Sequence, residues 1–183
     1  MDLKTKPYIQ NPKLLLSHQL VEGKRLFQFD LTDEPINASR VLSTVVSERA
    51  GANVLFTGTT RQETDGVITD WLEYDAYKPL AERECIRLYE QAVEKFKIMK
   101  CSIVHRLGKV AVGEVSIAVA VSAVHRAEAF ASASWLLDRI KEDVPVWKRQ
   151  VSDTGTFWVH PEKEKATTRD LKGFPQERDN DMS

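Results

Sequence analysis

Residues 115–130 read VSIAVAVSAVHRAEAF, and this stretch decides the fold of the chain. Its first part, Val115 to Val124, is apolar at almost every position, which is typical of a strand buried on both faces inside a sheet. The basic pair His125-Arg126 ends that run, and a helical pattern begins there. The apolar stripe of that helix is Phe130, Ala133, Leu137 and Ile140. We therefore predict a central strand that passes directly into a helix, which Pro145 ends.

Shorter patterns predict elements on the N-terminal side. The alternation from Phe27 to Leu31 indicates a strand. Apolar residues at helical spacing between Val41 and Val46 indicate a helix, with Asn37 or Ser39 as its N-cap and Gly51 as its end.

Further elements alternate along the rest of the chain. Val54–Phe56 and Val67–Tyr77 read as strands, and the Asp65-Gly66 turn between them predicts a hairpin. An amphipathic helix begins at Pro79. Later strands are predicted at Cys101–Leu107 and Thr156–Val159. Hairpins among helices predict an α+β domain with a largely antiparallel sheet packed by helices.

Composition excludes several classes of protein. The 183 residues hold 26 Lys and Arg against 27 Asp and Glu, so the formal net charge is −1. A charge so close to zero argues against a dedicated binder of nucleic acid or of a membrane surface. No apolar run approaches the roughly 20 residues that a membrane helix needs. We expect a cytosolic chain with an N-terminal extension over 1–23, one domain over 24–160 and a charged tail over 161–183.

The sequence offers no pattern for a metal or an organic cofactor. None of the four histidines is paired with a Cys or a carboxylate at a metal-ligand spacing, and neither standard glycine-rich phosphate loop is present. Cys85 lies on the apolar stripe of its predicted helix, so it reads as a core residue. Cys101, at a strand start, is only a slightly better candidate nucleophile. We therefore expect no metal and no cofactor.

Basic residues are the remaining candidates for chemistry. Arg61 follows a strand, and His125 and Arg126 stand at a helix N-terminus, where free N–H groups and the helix dipole favour an anion. In the plainer alternative His125 caps the helix and Arg126 is only solvated. The residues themselves leave both interpretations open.

Lys141 and Lys148 flank the apolar turn at 144–147. A lysine in the last turn of a helix complements the dipole, and Lys148-Arg149 fits a surface strand, so a structural role is the plainer interpretation. Two ammonium groups held near each other by such a turn would instead have a lowered pKa, which suits a nucleophile or an acid/base group.

Longer strings of the sequence carry a family resemblance. They are LFTGTTR at 55–61, LEYDAY at 72–77, HRLG at 105–108, AVSAVHRAEAF at 120–130 and LLDRIKEDVPVWKRQ at 136–150. In this order and spacing, over residues 24–160, the chain resembles the large, catalytic subunit of molybdopterin synthase, the MoaE family.

The resemblance implies a fold, partners and a reaction. The family has a hammerhead-like α+β fold and forms a homodimer, and each large subunit binds a small ubiquitin-like subunit, giving a heterotetramer. The small subunit ends in Gly-Gly and carries a terminal thiocarboxylate. Its sulfur is transferred, in two successive steps, to cyclic pyranopterin monophosphate to form the dithiolene of molybdopterin. The chain is then a sulfurtransferase.

The resemblance also implies site residues. Lys141 and Lys148 match the active-site lysines, and we assign Lys141 to the small-subunit terminus and Lys148 to acid/base work on the pterin. The expected substrate-binding set is Thr59, Thr60, Arg61, His125, Arg126, Lys141, Lys148, Arg149 and Gln150. Gln150 stands where the family often has Glu, and Ala123-Val124 where it commonly has Ser-Ala. We expect the basic members of the set to converge on one pocket.

Two other functions compete with sulfur transfer. A non-catalytic scaffold that binds an anion or a ubiquitin-like partner would share the His125-Arg126 site but would be indifferent to loss of either lysine. An RNA-binding α+β domain needs exposed aromatic residues on a basic sheet face, and the aromatic residues here fall mostly on core-facing stripes. We rank the RNA-binding hypothesis last.

Overall fold

The computed structural model describes residues 26–64, 66–152 and 155–159. The predicted extension (1–23) and tail (161–183) lie outside the described residues. The elements are, in chain order, β1 (Leu26–Thr32), α1 (Ala38–Val45), β2 (Ala52–Thr59), β3 (Glu63–Thr64), β4 (Val67–Ile68), β5 (Trp71–Ala76), α2 (Lys78–Phe96), β6 (Lys100–Arg106), β7 (Gly108–Ala111), β8 (Val115–Ala123), α3 (Arg126–Asp143), β9 (Val146–Ser152) and β10 (Gly155–Val159).

Strand β8 lies inside a sheet, as its sequence predicts. The order of this first sheet is β1-β6-β8-β2, with β1 and β6 parallel and the other neighbours antiparallel. Every residue of β8 from Ala118 to Ala123 is buried. Because both faces are covered, an apolar residue fits at nearly every position, and the α+β class with a largely antiparallel sheet is confirmed.

Helices cover both faces of the first sheet. On one face, α2 and α3 pack together on a core that includes Leu88, Ile103 and Leu136. On the other face, α1 buries Val41 and Val45 against β6 and β8. No helix in the described part of the chain is long and apolar enough to cross a membrane.

A second four-stranded sheet, in the order β10-β9-β5-β7, overturns the predicted hairpin. We expected Val54–Phe56 and Val67–Tyr77 to pair, but β2 pairs with β8 and β5 pairs with β7 and β9. The turn signal marks only the two-residue strands β3 and β4, which pair across it. The short apolar β2 gains more by covering one edge of the buried β8 than by pairing with its neighbour in sequence.

The helix after β8 forms where the sequence places it, but its buried face differs. His125 is the N-cap and the last helical residue is Asp143, two before Pro145. Phe130, predicted for the core stripe, is 63% exposed, and Leu137 is only partly buried. The buried positions are Ala129, Ser132, Ala133, Leu136 and Ile140. Small residues in the first turns bring α3 close to the sheet.

For α1, the predicted N-cap is confirmed and the predicted end is wrong. Asn37 is the N-cap of α1, and its side chain accepts from the Arg40 N–H at 3.0 Å. The helix ends at Val45, so Gly51 is not its terminator. A Cβ at Gly51 would lie 2.4 Å from the Val124 carbonyl oxygen, which explains the glycine by close approach to the end of β8.

The joint between α3 and the first sheet predicts a stability change. Leu136 is fully buried, so Leu136→Ala leaves a cavity and should cost about 2–5 kcal/mol of unfolding free energy in urea titration. Leu137→Ala, one residue along, is the matched control and should cost less because part of that side chain is already in water. Equal losses would contradict this packing.

Candidate anion-binding site

The junction between β8 and α3 exposes two basic side chains. His125 and Arg126 are both exposed, and His125 makes no side-chain capping hydrogen bond. His125 is the N-cap residue, as the plainer interpretation has it, and caps through its backbone, because its carbonyl accepts from the Ala129 N–H at 3.3 Å. The first turn of α3 thus has N–H groups for an anion. It also carries Glu128, whose Oε2 is buried without a hydrogen-bond partner among the described residues.

The length of α3 separates this junction from the lysines. Lys141 lies in the last turn of the 18-residue helix. Fifteen residues separate it from Arg126, which is about 22 Å along a helix axis at 1.5 Å per residue. The prediction that all the basic residues converge on one pocket is therefore wrong within a single chain.

The lysine end of α3 coincides with the Arg61 end of the sheet. Strand β2 starts opposite Ala123 and ends at Thr59, opposite Val115, so its last residues lie far from His125. Helix α3 runs back along β2 and β8 toward that same end. Because β2 and β8 are antiparallel, the C-terminal end of β2 lies beside the N-terminal end of β8. Arg61 and Lys141 therefore both lie toward this end of the sheet.

The loop residues before Arg61 have different surroundings. Thr59 is exposed, whereas Thr60 is 2% exposed and its hydroxyl donates to the Val110 carbonyl at 3.4 Å. The Arg61 side chain is exposed and has no ion pair among the described residues. Thr60 therefore holds the loop, and a direct contact of Thr60 with substrate stays a prediction.

Lys148 is half-buried on β9, next to a buried histidine. It is the register partner of Tyr74 on β5, whose ring meets the His105 ring edge-on at 4.9 Å. Gln150, two residues along, points to the same face of β9. The Gln150 Nε2 is buried with no hydrogen-bond partner in the described chain, so one donor of its amide group is unused there.

Sequence reasoning assigned no role to His105. In the structure its environment keeps the imidazole uncharged beside Lys148. Its ring is buried, and its Nδ1 lies 2.8 Å from the Arg106 carbonyl oxygen. Burial, with a smaller contribution from the nearby Lys148 charge, lowers the pKa of His105 to about 4, although the hydrogen bond to the Arg106 carbonyl raises it in part. At neutral pH the imidazole is uncharged, with Nδ1 as the donor, so it adds no cation beside Lys148. A buried position in a strand is not readable from a lone histidine.

Arg149 lies apart from Lys148. Successive strand residues point to opposite faces, and Arg149 pairs with Glu73 at 2.9 Å on its own face of the second sheet. Its guanidinium also lies 5.3 Å from the centre of the Trp158 ring. The expected convergence of Arg149 with Lys148 is therefore wrong in this chain.

The two thiols of the described residues are poor candidates for a reactive centre. Cys85 and Cys101 are buried, and burial raises the pKa of Cys85 to about 12 and raises that of Cys101 as well. Both stay protonated near neutral pH and are poor nucleophiles. Residues 26–64, 66–152 and 155–159 contain no group of three or more His, Cys, Asp or Glu side chains that could hold a metal.

The fold and these side chains define a class: an α+β domain that presents lysine and arginine toward one end of its main helix and the exposed pair His125 and Arg126 at the other. The model of the MoaE protein family matches residues 31–143. A Pyrococcus abyssi protein called molybdopterin synthase catalytic subunit is 39% identical over 141 residues, 77% of this chain and 95% of that protein. The chain belongs to the MoaE family.

Solved structures agree with this assignment. The crystal structure of molybdopterin synthase from Staphylococcus aureus superposes with a TM-score of 0.69 at 37% identity, covering 72% of this chain and 96% of that one. A complex of subunits 1 and 2 of molybdopterin-converting factor from Helicobacter pylori gives a TM-score of 0.61 at 18% identity, covering 72% and 89%. The second match shows a shared fold.

The buried His105 predicts a pH dependence of stability. Its pKa is about 4 in the folded chain and 6.5 when unperturbed, so the unfolded chain takes up the proton first as the pH falls. The free energy of unfolding should therefore fall as the pH drops from about 6.5 towards 4. Urea titrations across this interval should show a weaker fall for His105→Gln, which has no titrating ring. Identical pH profiles for the two proteins would contradict the assignment.

Proposed function

We propose that the chain is the large, catalytic subunit of a molybdopterin synthase. It transfers sulfur from the thiocarboxylated C-terminus of a small ubiquitin-like subunit to cyclic pyranopterin monophosphate and so forms the molybdopterin dithiolene. The observation that carries the proposal is the placement of Arg61 and Lys141 toward the same end of the first sheet in a MoaE-family chain. We further propose that the reaction takes place in the cytosol.

The side chains suit a sulfur transfer in which the partner brings the sulfur. The two thiols of this chain are buried and protonated, so the transfer does not need them. A phosphate ester and a thiocarboxylate are both anions, which arginine and lysine bind and neutralise. An ammonium group beside the thiocarboxylate carbonyl also stabilises the charge that develops there during attack.

The lysines divide this work by their positions. Lys141 is exposed on the last turn of α3, where an incoming Gly-Gly tail can reach it, so we assign it to the small-subunit terminus. Lys148 is half-buried beside the neutral His105, which suits acid/base work on the pterin. Gln150, with its unpartnered amide on the same face, is a donor for the pterin.

The helix length supports a homodimer with shared sites. Because about 22 Å of helix separates Arg126 from Lys141, these residues meet on one substrate only if two copies combine. In such a dimer the partner subunit's His125 and the partner subunit's Arg126 face the Arg61 and lysine end of this chain. Val124 and Phe130, 53% and 63% exposed, border the junction, and apolar side chains exposed together favour a protein contact.

The small subunit completes the assembly. The H. pylori structure of the same fold is a complex of two different subunits of molybdopterin-converting factor, which supports a small partner for this chain. One small subunit on each copy of a dimer gives a heterotetramer. A small subunit that ends in Gly-Gly can thread a narrow channel, because glycine has no side chain.

Loss of Lys148 tests the catalytic role against the scaffold alternative. Lys148→Ala should lower turnover of the pterin precursor by about 10²-fold or more, because a positioned acid/base group contributes about that factor. The complex with the small subunit should remain intact on gel filtration.

The matched control is Lys95→Ala, which removes a lysine from the last turn of α2. That turn precedes the start of β6, at the opposite end of the first sheet from Arg61, so Lys95→Ala should retain turnover. Full turnover by Lys148→Ala in an intact complex would contradict catalysis and favour the non-catalytic scaffold.

A further inference from the structure

We propose that Glu114 is a positioning residue that fixes the direction of the Arg61 side chain through the turn at 111–114. It contacts no substrate itself. The identity of the anion that Arg61 binds rests on the proposed function, whereas the mechanical link from Glu114 to the Arg61 loop does not. Sequence reasoning assigned no role to Glu114.

The Glu114 carboxylate joins two groups. Its Oε2 accepts from Arg106 Nη1 at 2.9 Å and from the Ala111 backbone N–H at 2.8 Å. The Arg106 side chain is only 11% exposed, and its Nε has no hydrogen-bond partner among the described residues. Glu114 therefore supplies the charge that compensates this nearly buried guanidinium. The Ala111 N–H bond, and then Arg106, lower the pKa of Glu114, so it is ionised at neutral pH.

The same turn holds both backbone polar groups of Thr60. The Thr60 N–H donates to the Glu114 carbonyl at 3.1 Å, and the Gly113 N–H donates to the Thr60 carbonyl at 2.9 Å. The Glu114 N–H closes the turn on the Ala111 carbonyl at 3.0 Å. Gly113 has a φ of +83°, which a glycine adopts without strain. Thr60 therefore cannot move without the turn that Glu114 locks.

A second anchor lies just before Thr60. The Ser116 hydroxyl donates to the Gly58 carbonyl at 3.1 Å, and the β2–β8 register shifts between Gly58 and Thr59. A Cβ at Gly58 would lie 2.8 Å from Ile117 Cγ2, so β2 and β8 are in close contact there. Hydrogen bonds at Gly58 and at Thr60 thus hold the chain on both sides of the register shift. Arg61 is the next residue after Thr60.

The turn at 111–114 sets the direction of Arg61, because no other contact among the described residues orients this side chain. Its side chain is exposed and has no ion pair among them, so the backbone alone sets where the guanidinium starts. Fixing that backbone before the ligand arrives lowers the entropy that binding must otherwise remove. Loss of the two hydrogen bonds of the Glu114 carboxylate should therefore lower the affinity for the anion more than the rate of the chemical step.

The test compares E114Q, R61A and the double variant in the complete complex with the thiocarboxylated small subunit. E114Q should raise the KM for the pterin precursor about tenfold with little change in kcat, because the Arg61 guanidinium is no longer held in place before the substrate binds. In the R61A background the same substitution should change KM by less than about twofold, because residues that act through one another are not additive. E84Q breaks the Arg87–Glu84 pair on α2, 2.7 Å long, and should leave KM unchanged.

A second readout is independent of activity. In E114Q the Thr60 backbone amide should exchange with solvent at least about tenfold faster than in the wild type, because its acceptor lies in the loosened turn. If E114Q does not fold, R106Q/E114Q removes both charges together and carries the same comparisons.

The results separate the possible failures. An unchanged Thr60 exchange rate, or an E114Q effect on KM that is equally large without Arg61, would overturn the positioning role. A wild-type complex that forms no dithiolene would overturn the proposed function instead, while faster Thr60 exchange would still support the link between Glu114 and the loop.

Discussion

The structure depends on the packing of one 18-residue helix against one buried strand. Helix α3 begins at Arg126, shortly after β8 ends at Ala123, and lies back along β8 and β2, with Leu136 and Ile140 in the core. That contact fixes two ends. His125 and Arg126 stay at one, and Lys141 with Arg61 stays at the other. Since a helix does not shorten, no rearrangement of side chains brings the two groups onto one small substrate.

The environment decides which of the basic groups can act on an anion. Arg149 is paired with Glu73, and Arg106 is nearly buried with Glu114 as its counterion. His105 is held neutral, so Lys148 has no second charged ring beside it. A net charge of −1 therefore coexists with locally basic ends. The whole-chain charge argues only against binders of long polyanions, and a single phosphate or carboxyl-type terminus needs a few cations.

Sequence reasoning reached the elements whose signal is local. The apolar run of β8, the Asn37 cap and the start of α3 at His125-Arg126 follow from neighbouring residues, and the structure confirms them. The predicted pairing of β2 was wrong, because the choice between a hairpin and the edge of β8 depends on residues that lie 56 to 71 positions further along the chain. The prediction that Phe130 is buried was wrong, because helical spacing gives the period of an apolar stripe but not which neighbouring elements cover it. Site membership came from motif strings, whereas the separation of its two halves required the helix in three dimensions.

The most direct measurement of the central claim uses a mixed dimer. Chains carrying Arg126→Ala and chains carrying Lys148→Ala are co-expressed with different tags, and the doubly tagged dimer is purified and assayed for dithiolene formation with the thiocarboxylated small subunit. If each site uses Arg126 from one copy and Lys148 from the other, the mixed dimer has one site without a substitution. It should then show about half of the wild-type turnover, while either variant alone is nearly inactive. A mixed dimer as inactive as the single variants would contradict the shared site.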